Sequence, residues 1–296
     1  MTQAVIKGES ISPSIVVPTV QRSRKEYHRA SRDDHPTDSV VSVGGLDIGA
    51  SRLAMMVGPC SIESREQLWQ SAFAVKAAGF TVLRAGAFKP RTSPYGFRGL
   101  MLEGLRMLDE VRRETGLLVI TEVMSEADVV DVAAHVDILQ IGSRTMHSFR
   151  LLEAIADSGK PIVLKRGFQA TIREWLLAAE YILNCGNPHV ILCERGIRSF
   201  DGEFTRNVFD LTAIQVAKHE THLPVIADPS HGTGQAHLVI PMSRAAIAAG
   251  ADGLLLEAHP NPAAAMSDGA QSLRLTDLPE LSRQVGLIAA AMGRTL

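Results

Sequence analysis

Four side chains in this sequence have the chemistry of metal ligands. They are one thiol, one imidazole and two carboxylates, at Cys60, His231, Glu257 and Asp268. Such a mixed donor set suits Mn²⁺, Fe²⁺, Co²⁺ or Zn²⁺ and does not suit a calcium cage. Taken singly, Cys60 could be a small buried residue, Asp268 a turn residue and His231 a helix cap. Their combined presence predicts a divalent-metal site.

A second group of residues carries positive charge and lies near the ends of apolar runs. Arginine forks suit bidentate binding of phosphate or carboxylate, whereas lysine serves as a mobile charge or a proton donor. Some of these cations are expected to pair with Glu122, Glu194 and Asp228, but they outnumber those acids. The excess favours two anionic substrates or one multiply charged substrate. The group comprises Arg84, Lys89, Arg91, Arg144, Lys165, Arg166, Arg195 and Arg198, with the hydroxyls of Thr92 and Ser93 between two stiffening prolines, Pro90 and Pro94.

Eight short apolar runs between residues 54 and 257 must position these side chains. Amphipathic stretches of helical length separate the runs, for example RNVFDLTAIQVAKHE at 206–220. This alternation predicts parallel strands with helical crossovers, and eight units predict an α/β fold of the (β/α)8 TIM-barrel class. The carboxyl ends of the strands build the active site of such a barrel, and strand 8 closes against strand 1, so the metal-type ligands should converge. The runs lead to Cys60, Arg84, Glu122, Arg144, Lys165, Arg195, His231 and Glu257.

The length of 296 residues allows one barrel of about 250 residues with a short appendage. Residues 1–38 are polar and mixed in charge, and they are predicted to form a mobile or loosely docked N-terminal arm, with ordering of part of it on a partner subunit as the alternative. The barrel is predicted to span 39–296 and to begin with a β-hairpin in VVSVGGLDIG at 40–49, where Gly44-Gly45 is a two-residue turn signal. This hairpin would plug the amino-terminal mouth of the barrel.

The bulk composition excludes several functional classes. A formal net charge of −2 gives no reason to expect a nucleic acid or a membrane surface as partner. No run approaches the roughly 18 apolar residues of a membrane span, and the start MTQAVIKGESISPS lacks the apolar core of a secretory signal. Three cysteines without a CxxC pair indicate a reducing compartment. We therefore expect a soluble cytoplasmic protein.

From about Ser31 to the C-terminus, the chain resembles the 3-deoxy-D-arabino-heptulosonate 7-phosphate (DAHP) synthases, specifically their short type I-beta branch. The matching stretches include GPCSIES (58–64), KPRTSPYGF (89–97), LKRG (164–167), ILCERGIRSF (191–200), ADPSHGTG (227–234) and EAHPNPAAAMSDGAQSL (257–273). The related 3-deoxy-octulosonate 8-phosphate synthases typically carry Asn-Arg-Ser where this chain has Pro90-Arg91-Thr92. That loop favours a four-carbon aldose phosphate.

The resemblance implies the first step of the shikimate pathway, in which phosphoenolpyruvate condenses with erythrose 4-phosphate and water to give DAHP and phosphate. It further implies a homo-oligomer, either a dimer or a tetramer. In the implied roles, Lys89 protonates the nascent alkoxide, and Glu122 orients water with Lys165 nearby. The implied binding residues are Cys60, His231, Glu257 and Asp268 for the metal, Arg84, Lys89, Arg144, Lys165 and Arg195 for phosphoenolpyruvate, and Arg91, Thr92 and Ser93 for the aldose phosphate.

The chain departs from the family pattern at Ser143, Thr145 and Phe168, all beside the expected mouth of the barrel. These departures leave open a specialised paralogue with another aldose phosphate acceptor. A catalytically silent barrel serving as a binding subunit is the alternative from another class. Because 38 polar residues cannot form a ferredoxin-like regulatory domain, and no chorismate mutase domain is recognised at either end, feedback control through an appended domain is not expected.

Overall fold

A β-hairpin precedes the barrel in the computed structural model, which describes residues 25–89, 93 and 95–296. Strands β1 (Val41–Val43) and β2 (Leu46–Ile48) pair antiparallel around Gly44 and Gly45, whose φ angles of 52° and 83° fit a two-residue hairpin turn. Buried side chains of the hairpin join a cluster formed by interior residues of every barrel strand. The hairpin therefore closes one mouth of the barrel, as predicted.

Eight parallel strands follow and close on themselves. The closure is made by β10 against β3, from Gly253 opposite Ala54 to Glu257 opposite Gly58. A short strand, β11 (Leu273–Arg274), pairs in parallel with the carboxyl end of β10, at Ala258 and His259. The (β/α)8 prediction is confirmed. The barrel strands are β3 (Ala54–Gly58), β4 (Val82–Arg84), β5 (Leu118–Val123), β6 (Ile138–Ile141), β7 (Ile162–Lys165), β8 (Val190–Glu194), β9 (Val225–Ala227) and β10 (Gly253–His259).

The crossover helices pack around the barrel and bury one face each against it. Helix α5, for example, begins with a reciprocal capping box between Thr171 and Glu174, and its buried Trp175 donates to the Leu164 carbonyl of β7. The helices are α1 (Arg65–Ala77), α2 (Met101–Thr115), α3 (Val129–His135), α4 (Phe149–Ala156), α5 (Ile172–Asn184), α6 (Leu211–Glu220), α7 (Pro229–Thr233), α8 (Ala236–Ala248) and α9 (Leu278–Ala291).

One amphipathic stretch is helical over only part of its length. The segment 206–220 forms helix α6 only from Leu211, because Asp210 caps the helix by accepting from the Ala213 amide. Upstream of the cap, Val208 pairs with Ile197 across an isolated bridge. The residues before Leu211 are thereby directed into the mouth of the barrel. No helix of the described residues has the length and apolar character that crossing a membrane requires.

Residues 25–38, the described part of the predicted arm, lie against the outside of the barrel. Tyr27 and Ala30 are buried, and the amides of Arg29 and Ala30 donate to the Glu180 carboxylate on α5. Arg32 donates to the carbonyl of Thr221, at the C-cap of α6. This segment therefore docks onto the barrel of its own chain, while the domain boundary at residue 38 stays a prediction.

A buried imidazole holds this docked segment in place. His222 Nε2 lies 2.7 Å from the Arg29 carbonyl oxygen, and its Nδ1 lies 2.7 Å from the Ser39 hydroxyl. Because the carbonyl can only accept, Nε2 carries the proton and Nδ1 accepts from Ser39, which is the neutral form of the ring. Burial is the main cause that lowers the pKa of His222, and nearby His35 and Arg32 act in the same direction.

The lowered pKa of His222 predicts a pH-dependent stability. A histidine whose folded-state pKa lies below its unfolded value of about 6.5 stabilises the fold above that pH and loses this contribution as pH falls below it. The urea midpoint should therefore fall between pH 7 and pH 5, and His222→Gln should flatten this decline. His237→Gln, an exposed change on α8, is the matched control. Equal slopes for wild type and His222→Gln would contradict the assignment.

Candidate active site

A polar cleft opens at the carboxyl ends of the barrel strands. Its walls are formed mainly by charged side chains. The residues around it come from the ends of seven different strands and the loops after them, so the barrel brings together residues more than 170 positions apart in sequence. The lining residues are Lys89, Glu122, Gly142, Ser143, Arg144, Lys165, Phe168, Arg195, Arg206, His231 and Asp268.

Three of the four predicted metal ligands form one cluster at the side of this cleft. The ligand atoms of Cys60, Glu257 and Asp268 all lie within 4.8 Å of one another. The fourth residue, His231, places Nε2 3.5 Å from a Glu257 oxygen. Asp268 has φ 49°, in the left-handed region, so the backbone itself is held in an uncommon conformation at this point. The donor set is the one that the sequence suggested for a borderline divalent ion.

His231 is oriented by a buried carboxylate. Asp228 caps the short helix α7 through the His231 amide, and its other oxygen lies 2.7 Å from His231 Nδ1. That contact leaves Nε2 directed toward Glu257, the arrangement in which a carboxylate fixes a metal-binding imidazole. Burial outweighs the attraction of Asp228 and lowers the pKa of His231, which favours the neutral ring that a metal ligand requires. These residues therefore fit a divalent metal.

The same Asp228 also accepts from Lys165, 2.6 Å away. Although burial opposes its ionisation, His231 and Lys165 hold the pKa of Asp228 well below its usual range. One ionised carboxylate thus fixes both a predicted metal ligand and a predicted substrate-binding lysine. The sequence indicated Asp228 only as one of several acids expected to pair with the cations, because no spacing rule shows that two partners share it.

Lys89 connects the metal-type cluster to the rest of the cleft. Its Nζ lies 2.7 Å from Cys60 Sγ and 3.9 Å from an Asp268 oxygen. Burial would lower the pKa of Lys89, but the Cys60 sulfur and Glu257 outweigh that effect and raise it. Burial is the chief cause that raises the pKa of the Cys60 thiol to about 12. Lys89 is therefore protonated beside the cluster and can act there as a general acid.

Three arginines in or beside the cleft differ in their exposure and in their partners. Arg84 is buried and donates from Nη1 to Glu257 at 3.0 Å, while its Nε has no hydrogen-bond partner among the described residues. Arg195 is 2% exposed, and burial is the chief cause that lowers its pKa to about 10. Arg144 is exposed on the loop after β6. Arg84 and Arg195 remain charged at neutral pH, and the Nε of Arg84 can still donate a hydrogen bond to a bound acceptor.

Glu122 stands between the cleft and a smaller cavity behind it. Gln140 Nε2 donates to its carboxylate at 3.3 Å, and Lys165 and Arg84 lie on the walls around it. Gly142 makes room for this side chain, since a Cβ added there would lie 2.0 Å from Glu122 Oε1. The position of Glu122 therefore depends on a glycine in the next strand's loop.

The predicted aldose phosphate residues are only partly described. Arg91 and Thr92 lie outside the described residues. Ser93 is exposed, its hydroxyl accepts from the Tyr95 amide, and it does not line the described part of the cleft. Their roles stay predictions.

Two residues of the site were missed by the sequence reasoning. Arg206 donates to Asp268 at 3.1 Å and to Gln271 at 2.8 Å, and Gln271 donates to Glu257 at 2.7 Å. The pair thus braces both carboxylates of the metal-type cluster. The signal that could have found them is their presence in matched family stretches, since both are ordinary polar residues by composition.

Comparison with known proteins gives the family. The sequence model of the DAHP synthetase I family matches residues 38–291. The chain belongs to the DAHP synthetase I family. A phospho-2-dehydro-3-deoxyheptonate aldolase of Thermotoga maritima is 48% identical over 277 residues, which cover 94% of this chain and 82% of that protein. The family prediction, and with it the expectation of an enzyme, is confirmed.

Solved structures agree with this family assignment. The crystal structure of a DAHP synthase from Thermotoga maritima superimposes with a TM-score of 0.90 at 47% identity, covering 93% of this chain and 80% of that one. A truncated form of the synthase from the same organism gives 0.84 at 44% identity, covering 90% and 97%. A 2-dehydro-3-deoxyphosphooctonate aldolase of Geobacter sp. is more distant, at 34% identity over 86% of this chain and 98% of that protein.

Proposed function

We propose that the cleft condenses phosphoenolpyruvate with erythrose 4-phosphate and water, giving DAHP and inorganic phosphate. The observation that carries this proposal is the meeting, in a chain of this family, of a thiol–carboxylate cluster with the ammonium of Lys89 and a wall of arginines. Phosphoenolpyruvate carries a phosphate and a carboxylate, and the acceptor carries a second phosphate, so the excess of cations matches the charge of the two substrates.

We assign a divalent metal to Cys60, His231, Glu257 and Asp268. When bound there, the ion supplies a Lewis acid toward the aldehyde oxygen of the acceptor. Mn²⁺, Fe²⁺, Co²⁺ and Zn²⁺ all suit this donor set, and Mn²⁺ is the ion we expect to restore activity to stripped protein. Asp228, Arg206 and Gln271 keep the ligands in place through the contacts described above.

Phosphoenolpyruvate is proposed to bind against Arg84, Lys89, Arg144, Lys165 and Arg195. Its C3 forms the new carbon–carbon bond with the aldehyde carbon, and the aldehyde oxygen takes a proton from Lys89 Nζ. Positive character is left at C2, where water held by Glu122 adds and gives up a proton to that carboxylate. The C2–oxygen bond to phosphate then breaks as the C2 hydroxyl becomes the ketone carbonyl and gives its proton to the departing phosphate, which leaves from the arginine wall. Arg91, Thr92 and Ser93 are proposed to bind the phosphate of the acceptor.

The direct test is release of phosphate from phosphoenolpyruvate by the purified protein with Mn²⁺. We expect release to require erythrose 4-phosphate and to match the appearance of DAHP. Phosphate release that does not depend on the aldose, or none under any metal, would contradict the proposal and favour a non-catalytic barrel. We further propose a homo-oligomer, a dimer or a tetramer, which light scattering of the same preparation would test.

The contact between Gly142 and Glu122 gives a specific prediction. Gly142→Ala should displace the Glu122 carboxylate, because the added carbon would lie 2.0 Å from its oxygen. A displacement of about 1 Å can reduce the rate by about 10²-fold, so kcat should fall by up to that factor. Gly202→Ala is the matched control, since a Cβ there meets nothing within 4 Å. If Gly142→Ala keeps full kcat and circular dichroism shows intact folding, the position of Glu122 does not limit the reaction.

A further inference from the structure

Phe168 gathers three arginines around one ring, and two of them, Arg144 and Arg195, line the cleft. It follows β7 in the segment 166–170, lines the cleft, and is partly buried. The guanidinium carbons of Arg195, Arg198 and Arg144 lie 4.7, 5.2 and 5.3 Å from its ring centroid. The Arg198 amide also donates to the Phe168 carbonyl at 2.7 Å, which fixes the backbone of the two loops relative to each other.

These three arginines differ from the other cations around the cleft. Lys165 pairs with Asp228, Arg206 with Asp268 and Arg84 with Glu257. Among the described residues, no carboxylate forms an ion pair with Arg144, Arg195 or Arg198. Within the described part of the chain, the side chain of Arg195 donates a hydrogen bond to the Gly196 carbonyl at 3.3 Å. Among the described cations around the cleft, those without an acidic partner are therefore the ones that share the ring of Phe168.

The effect of an aromatic ring on these arginines differs from that of a carboxylate. Its negative face attracts a cation and offsets part of the repulsion between neighbouring guanidinium groups. It does not take up their N–H donors, which lie in the guanidinium plane and remain available to an anion. A carboxylate at the same place would neutralise the charge and occupy the donors. The ring thus holds positive charge together without neutralising it.

We propose that Phe168 is a positioning residue for phosphoenolpyruvate, which keeps Arg144 and Arg195 of the proposed phosphate-binding wall, together with Arg198, close enough to bind one anion. This inference rests on the proposed function of the cleft. Phe168 then contributes to the affinity for phosphoenolpyruvate, and the π-face of its ring contributes more than its volume.

The test is a series of changes at position 168 in the full-length, Mn²⁺-loaded enzyme. Phe168→Leu keeps an apolar side chain but removes the π-face, and we expect the KM for phosphoenolpyruvate to rise about tenfold, equivalent to about 1.4 kcal/mol. The KM for erythrose 4-phosphate should change less than about twofold and kcat less than about threefold. Phe168→Tyr should restore the wild-type KM. Phe73→Leu, on the outer face of α1 and 49% exposed, is the matched control and should behave as wild type.

A second readout separates attraction by the ring from simple packing. Replacing Phe168 by phenylalanines with one, two and three ring fluorines keeps the ring shape while progressively weakening its negative face. The dissociation constant of phosphoenolpyruvate, measured by calorimetry without acceptor, should rise stepwise along this series. An unchanged constant across the series, or an unchanged KM in Phe168→Leu, would overturn the inference. If wild type itself releases no phosphate with erythrose 4-phosphate, the proposed function fails instead, and calorimetry still reports on Phe168.

Discussion

Removing the divalent metal, or replacing Cys60, is expected to abolish turnover. The Cys60 sulfur lies within 4.8 Å of the Glu257 and Asp268 oxygens and is 2% exposed, so nothing else in the described site can take its place as a soft donor. Chelator-treated enzyme should lose essentially all phosphate release, and Mn²⁺ should restore it. Cys60→Ser should weaken metal affinity by more than about tenfold, since even the loss of a residue that only orients a ligand costs 10–100-fold.

Metal content measured beside activity makes this prediction specific. Cys185→Ser, an exposed cysteine at the C-cap of α5, is the matched control and should bind metal and turn over as wild type does. Full activity in metal-stripped Cys60→Ala would contradict the assignment of a metal to this site. Loss of activity with unchanged metal content in Cys60→Ser would instead place Cys60 in the site without making it a ligand.

The second large effect is expected at Lys89. Lys89→Met keeps the length of the side chain but removes the proton donor that lies 2.7 Å from Cys60 Sγ. General-acid catalysis typically contributes 10²- to 10⁴-fold, so kcat should fall by about 10²-fold or more. Metal content should persist, because Lys89 is a neighbour of the cluster and not one of its donors.

A lysine elsewhere on the barrel provides the comparison for Lys89→Met. Lys76, on α1, donates to the Thr115 carbonyl away from the cleft, and Lys76→Met should leave kcat unchanged. If Lys89→Met mainly raises the KM for phosphoenolpyruvate while kcat holds, Lys89 binds substrate and the proton comes from another group. Pre-steady-state measurement of carbon–carbon bond formation would show which step is slowed.

The barrel and the meeting of its strand ends could be predicted because they follow from periodicity. Eight apolar runs with helical spacers leave few alternatives to a closed parallel sheet, and closure then brings Cys60 beside Glu257 whatever the details of packing. The Gly44-Gly45 turn is similarly local, since two successive residues with positive φ are typical of a two-residue hairpin turn. The helix boundary near Leu211 was not predictable from amphipathicity, because a capping side chain and a single bridge decided it.

Which side chains contact one another within the site could not be predicted from the sequence in the same way. That Asp228 serves both Lys165 and His231 depends on the direction of three side chains in three dimensions. The gathering of arginines by Phe168 is of the same kind, because a phenylalanine after a strand is usually only a packing residue. Charge counts indicated an excess of cations, but only distances show which of them remain without an acid.

The preference for an acceptor of one length is the most direct test of the proposed substrate and reaction. The measurement is kcat/KM for erythrose 4-phosphate against arabinose 5-phosphate and ribose 5-phosphate, by phosphate release with the same Mn²⁺ and phosphoenolpyruvate. One more carbon lengthens the acceptor by roughly 1.3 Å, comparable to the misplacement of about 1 Å that can reduce a rate by about 10²-fold. We predict that the tetrose exceeds both pentoses by about that factor. A pentose equal to or better than erythrose 4-phosphate would overturn the substrate, and no phosphate release with any of the three would contradict the reaction itself.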